Sequence, residues 1–134
     1  MRRQKVLVID DSYSNQLMMS TIIQRNLGFM PIRAASGKEA IKLLLERIIE
    51  KKLPSFSIVF LGLQMPVLDG FQTSMNIQQI CKANSCPKPY IVALTVNQDL
   101  GLTEKCKEAG IDELVEKPVT LEKIKSIFSL RNLE

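Results

Sequence analysis

Three short, unbroken runs of mostly branched apolar residues, separated by stretches of helical period, constrain this chain more than any other feature. They are KVLVID at residues 5–10, SIVFLGL at 57–63 and YIVAL at 90–94. A strand with one wet face alternates apolar and polar residues, whereas a strand covered on both faces reads as a continuous apolar run, so these three predict buried parallel strands. Between them, Leu17, Met18, Thr21, Ile22 and Arg25 recur with helical spacing, as do Ile41, Leu44, Leu45 and Ile48. Gly28 is placed to end the first helix. Leu102, Cys106 and Ala109 form a stripe that Gly110 ends in the same way, and Leu121, Ile124 and Phe128 form the last.

Two weaker segments complete the alternation. Phe29 to Ala35 contains Pro31 and Arg33, and Ile111 to Val115 contains Asp112 and Glu113. Proline removes a ladder donor and charge resists double-sided burial, so both belong at sheet edges. Five strands and five helices with strands two and five at the edges fit the order 2-1-3-4-5. That is a doubly wound α/β fold of (βα)5 type, a three-layer flavodoxin-like sandwich with right-handed crossovers. With 134 residues, 46% hydrophobic and 24% charged, and with no repeat, linker or composition shift, one domain over residues 1–134 is expected.

Composition excludes several function classes. The chain has no histidine, which removes the commonest general base and metal ligand. Cys81, Cys86 and Cys106 are odd in number and lack C-x-x-C spacing, so they are expected as reduced thiols rather than a zinc site or disulfide framework. The net charge of +4 comes from cations dispersed among acids, as in Lys38-Glu39 and Lys105 to Glu108, which describes solvated helix faces rather than a nucleic-acid stripe. The apolar runs fall far short of the ~20 residues of a membrane span, and Met1 to Lys5 lead directly into the first strand-like run, so an intracellular chain without membrane helix or signal peptide is expected. No nucleophile elbow or Gly-rich phosphate cradle is present, and the expectation is a non-enzyme.

In the order 2-1-3-4-5 the winding reverses between strands one and three, so a site is expected where their carboxyl ends part, at Asp10-Asp11 and around Gly62. Strands four and five bring Thr95 and Lys117 to the same rim. Two adjacent carboxylates repel each other unless a cation intervenes, and a hard, oxygen-seeking ion such as Mg²⁺ is the natural partner. The competing reading is an Asp-Asp cap for the helix beginning near Ser12. Met65 to Gly70 reads as a turn in which Pro66 fixes φ and Asp69-Gly70 opens a helix.

With these residues in view, the chain resembles a response-regulator receiver domain of the two-component phosphorelay systems over nearly its whole length. The family's acidic pair appears as Asp10-Asp11 with Asn15 completing DDxxxN, its M-P-x-x-D-G loop as Met65 to Gly70, its Ser/Thr as Thr95, and its K-P, usually joined by a cis bond, as Lys117-Pro118. The resemblance implies a three-carboxylate Mg²⁺ site and phosphoryl transfer from a partner's phosphohistidine to an aspartate ending strand three. Counting back from Pro66, that position is Gly62, flanked by Leu61 and Leu63. Leu114 stands where the family commonly has its aromatic switch residue, and Val96, where alanine is common, is expected to crowd the site. With Gly62 in place of a carboxylate the site is one unit less negative than the family's, so Mg²⁺ is expected to bind weakly at best, through Asp10 and Asp11, and no cofactor is required.

These departures suggest a pseudo-receiver that acts by binding a signalling partner such as a histidine kinase or phosphotransfer protein; the resemblance implies the helix 4, strand 5, helix 5 face at about Gln98 to Arg131 as its surface. The alternatives are a working phosphoacceptor, using another carboxylate or a natural aspartate that Gly62 replaces, and a small-anion sensor filling the vacated pocket. The last stripe uses the chain to about Arg131, which leaves a stand-alone adaptor or a piece of a larger protein such as a hybrid sensor kinase.

Overall fold

The structure, a computed structural model, describes residues 5–28, 30–51, 56–65, 67–96 and 101–130. The expected strand start at Phe29, residues 52–55, Pro66, Gln98 and Arg131 lie outside the described residues. Strands and helices alternate as β1 (Val6–Ile9), α1 (Tyr13–Leu27), β2 (Ile32–Ala34), α2 (Gly37–Ile49), β3 (Ile58–Gly62), α3 (Gly70–Ala83), β4 (Tyr90–Thr95), α4 (Leu102–Glu108), β5 (Glu113–Glu116) and α5 (Leu121–Leu130). The sheet runs β2-β1-β3-β4-β5 with every pair parallel, in registers that align Val8 with Phe60 and Phe60 with Val92. This is the doubly wound, flavodoxin-like order that the apolar runs predict.

Alternation within each central strand divides the core in two. Leu7, Ile9, Val59, Leu61, Ile91 and Ala93 pack on the side of α2, α3 and α4. Their neighbours Val6, Val8, Ile58, Phe60, Val92 and Leu94 pack on the side of α1 and α5, where Phe60 and Phe128 stack with ring centroids 6.1 Å apart. Both faces are covered, so every residue of β1 and β3 is buried, and each fully buried Leu, Ile or Phe contributes about 1.5–3 kcal/mol of transfer free energy. The edges carry the exposed charges: β2 exposes Arg33 and β5 exposes Glu116.

Helix ends follow local chemistry. Gly28 takes φ 78° and returns its N–H to the Gln24 carbonyl, and Gly110 sits at φ 77° after α4, as expected for both. The buried stripe of α1 is displaced from the one read in the sequence. Gln16, Met19, Ser20 and Ile23 face the sheet, while Leu17 and Met18 are 46% and 51% exposed. The cause is a polar anchor, since the Gln16 amide is buried and donates to the Asp10 carbonyl at 2.7 Å, which rotates the helix about its axis. Leu45 of α2 is likewise exposed, with Ala40 and Leu44 inward.

Candidate functional site

The carboxyl ends of β1, β3, β4 and β5 meet at one rim, and the site residues expected from the sequence gather there. Asp10 follows β1 and is 4% exposed. Its Oδ1 accepts the Ser12 N–H at 2.9 Å and its Oδ2 accepts the Lys117 ammonium at 3.2 Å, so both carboxylate oxygens are engaged. Asp11 points to solvent. The expected Asp-Asp cap is corrected: Ser12 caps α1, its hydroxyl accepting the Asn15 N–H at 3.3 Å, while Asp10 braces Ser12 from behind.

Lys117 is aimed by the end of β5. Its backbone N–H donates to the Thr95 carbonyl at 2.7 Å, one step beyond the Thr95–Glu116 register pair, and the Lys117-Pro118 bond is cis. Thr95 is 1% exposed at the end of β4. Leu114, in register with Ala93, packs part-buried against the core on the α2, α3 and α4 side. Val96, expected to crowd the site, is 67% exposed.

Gly62 ends β3 between β1 and β4. A Cβ there would meet nothing nearer than Asp10 Oδ2 and the Ile9 carbonyl, both at 3.6 Å, which is ordinary contact distance. A side chain at position 62 therefore has room and faces the Asp10 carboxylate. Gly70 differs, because a Cβ there would lie 2.7 Å from the Gly62 carbonyl and 2.8 Å from Leu63 Cα. Its N–H donates to the Leu63 carbonyl at 2.9 Å, holding the β3–α3 loop against the strand end. Asp69 turns away from the rim as cap of α3: its carboxylate accepts the Gln72 N–H at 2.9 Å, and the Gln72 side chain accepts the Asp69 N–H at 3.1 Å.

Beside the Asp10–Lys117 pair lies a cleft of about 240 Å³ between α1 and the segment after β5, walled by Met18, Met19, Ile22, Leu94, Val96 and Val119 with Asn15 at its polar end. The sequence reading did not anticipate this cleft, nor the buried Gln16 that sets α1 against Asp10; a polar residue six positions beyond an aspartate carries no recognisable signal. Among the described residues no three Asp, Glu, Cys or His side chains gather as a metal-binding group. The donor set thus does not fit a tightly held Mg²⁺: Asp11 offers a free carboxylate, Asp10 is committed to Ser12 and Lys117, and position 62 supplies no oxygen.

Comparison with known proteins is consistent in kind. The family described as the response regulator receiver domain matches residues 6–129. Hybrid signal transduction histidine kinase L of Dictyostelium discoideum is 36% identical over 124 residues, which are 92% of this chain but 7% of that kinase. The receiver domain of the response regulator Ssk1 from Saccharomyces cerevisiae, solved with the histidine phosphotransfer signaling protein Ypd1, has 24% identity and a TM-score of 0.79, covering 95% of this chain and 87% of its own. The receiver domain of the Arabidopsis thaliana histidine kinase CKI1, complexed with Mg²⁺ and BeF₃⁻, has 23% identity and a TM-score of 0.79, covering 94% and 90%.

Proposed function

The chain belongs to the response regulator receiver domain family, and from that premise we propose that it is a pseudo-receiver: a single signalling domain of a histidine-kinase phosphorelay that accepts no phosphoryl group and acts by protein binding in one constitutive state. The observation that carries this reading is Gly62. A phosphoacceptor needs a carboxylate oxygen at the end of β3, and this position has the space for one beside Asp10 but no nucleophile. The alternative carboxylates substitute poorly, because Asp10 has both oxygens engaged, Asp11 points to solvent and Asp69 is occupied capping α3.

The Asp10–Lys117 pair supports the same reading. With a third carboxylate absent, the ammonium neutralises the buried aspartate directly, and the fold has no need of metal or phosphate to quiet the rim. Bound Mg²⁺ would neutralise phosphoryl oxygens; here Asp10 and Asp11 would hold it only weakly. The small-anion reading is disfavoured, since Asp10 and Asp11 outnumber Lys117 and leave the rim net negative.

The partner is a histidine kinase or phosphotransfer protein. Tyr13, Leu17 and Met18 on α1 and Val96 after β4 are between 46% and 67% exposed, whereas on the α4, β5 and α5 face Leu130 is the one large apolar residue so exposed among the described residues. The α1 side of the rim is therefore the better apolar docking surface, ahead of the face expected from the sequence. As a receiver-family signalling module, the chain performs no catalysis of its own in this reading, and its place is intracellular, where such kinases signal.

The test is intact-mass spectrometry after incubation with acetyl phosphate and Mg²⁺, with Gly62→Asp alongside. The expected result is no added phosphoryl group on the natural chain and one on the variant. Labelling of the natural chain would overturn the proposal.

A further inference from the structure

Away from the rim, at the opposite end of the sheet, two of the three cysteines sit on one closed turn. Cys81 lies in the last turn of α3, and Cys86 follows the cap Asn84 and Ser85, whose φ of 53° turns the chain back on itself. The Cys86 N–H donates to the Cys81 carbonyl at 2.9 Å, which closes this turn. Both side chains are buried in the core cluster on the α2, α3 and α4 side, where Cys81 is 1% and Cys86 8% exposed. A disulfide requires close Cα atoms and sulfurs that face each other. The closed turn brings the two backbones together, and burial in one cluster turns both side chains to the same side of the sheet. Cys106, on α4, is buried in the same cluster and is set apart by its sequence position on another helix.

We propose that Cys81 and Cys86 form an oxidisable dithiol, a modification site that a hydroperoxide converts to an intramolecular disulfide without unfolding the domain. The step balances in two parts. The less buried Cys86 sulfur attacks the peroxide, the O–O bond breaks, and a sulfenic acid and water (or the alcohol of an organic peroxide) result. The Cys81 sulfur then displaces water from that sulfenic acid as the S–S bond forms, so two thiols lose two electrons in all and the peroxide gains them. Burial first, and then the neighbouring Cys86 thiol, push the Cys81 thiol up to about 12. At neutral pH the resolving thiol is therefore protonated, and the reaction is slow and accelerates with pH.

The experiment treats the native chain with hydrogen peroxide at pH 7 and pH 9, then unfolds it, alkylates free thiols and digests with trypsin. Cleavage after Lys82 separates Cys81 from Cys86, so their bond appears as two linked peptides. The expected result is one such link, a whole-chain loss of about 2 Da, an alkylated Cys106, faster reaction at pH 9, and an oxidised chain melting at least as high as the reduced one. Cys106→Ser should leave the link in place. The proposal is overturned by three alkylated cysteines under conditions that fully oxidise dithiothreitol, by a link involving Cys106, by added oxygen on Cys86 with no link, or by an oxidised chain that melts below the reduced one.

Discussion

The Lys117 ammonium stands 3.2 Å from Oδ2 of Asp10, across 107 positions of sequence, and ties the end of β5 to the end of β1. The Asp10 side chain is 6% exposed and that of Lys117 24%, so the aspartate depends on this cation more than the lysine depends on the aspartate. Removing one partner of such a pair strands a buried charge, which costs more than the pair itself is worth.

Lys117→Met is accordingly expected to destabilise the fold by about 2 kcal/mol, below the full cost for a buried pair because Lys117 keeps contact with water. Asp10→Asn in the same chain should recover most of that loss. Urea denaturation of the two single variants and the double variant measures the coupling, and additive losses would show that the pair contributes nothing.

Asp11→Ala is expected to leave stability within about 0.5 kcal/mol of the natural chain, or slightly above it. Asp11 is solvent-facing, Ser12 supplies the cap, and the substitution removes a charge that repels Asp10. Thermal melts decide this, and a loss above about 1 kcal/mol would assign Asp11 a stabilising role at the start of α1.

Millimolar Mg²⁺ should raise the melting temperature by less than about 1 °C, because a ligand stabilises in proportion to the logarithm of one plus its free concentration over Kd, which stays near zero for a weak site. Gly62→Asp should make the response larger and saturable, since a carboxylate at position 62 would join Asp10. An equally strong response from both chains would show that Asp10 and Asp11 hold the ion unaided.

Alkaline pH should weaken the fold through Cys81. Its thiol, moved by burial and by Cys86 from the ordinary value of 9.0 to about 12, stays protonated in the folded chain after it has ionised in the unfolded one. The folded state then binds more protons, so stability falls as pH rises from about 9 toward 12 and is unaffected by this group below about 8. Cys81→Ala should flatten that decline, although it lowers stability at every pH by leaving a small cavity. Denaturation midpoints collected from pH 7 to about 11 would reveal a slope that the substitution leaves unchanged, if the thiol is not responsible.

The sheet was legible because its signal is local. An unbroken apolar run such as Ile58 to Leu61 has few options other than a strand covered on both faces, and Pro31, Arg33 and Asp112 marked the flanks of the weaker strands. Parallel pairing and short connections then left one convenient order, and with it the rim where Asp10, Gly62, Thr95 and Lys117 meet. The rotation of α1 was not legible. Hydropathy favours burying Leu17 and Met18, yet Gln16 and Ser20 go inward, because a buried amide becomes inexpensive only once a particular carbonyl, that of Asp10, is there to accept it.

The sequence by itself determined which residues reach the rim and that Gly62 brings no oxygen to it, because strand order and the absence of a side chain are both written in residue identity. Only the tertiary structure decided that Lys117 pairs with Asp10, that Ser12 rather than an aspartate caps α1, and that Cys81 meets Cys86. Each of these depends on distances of a few ångströms between groups whose approach is set by packing, and electrostatic and hydrogen-bond energies change sharply over that range.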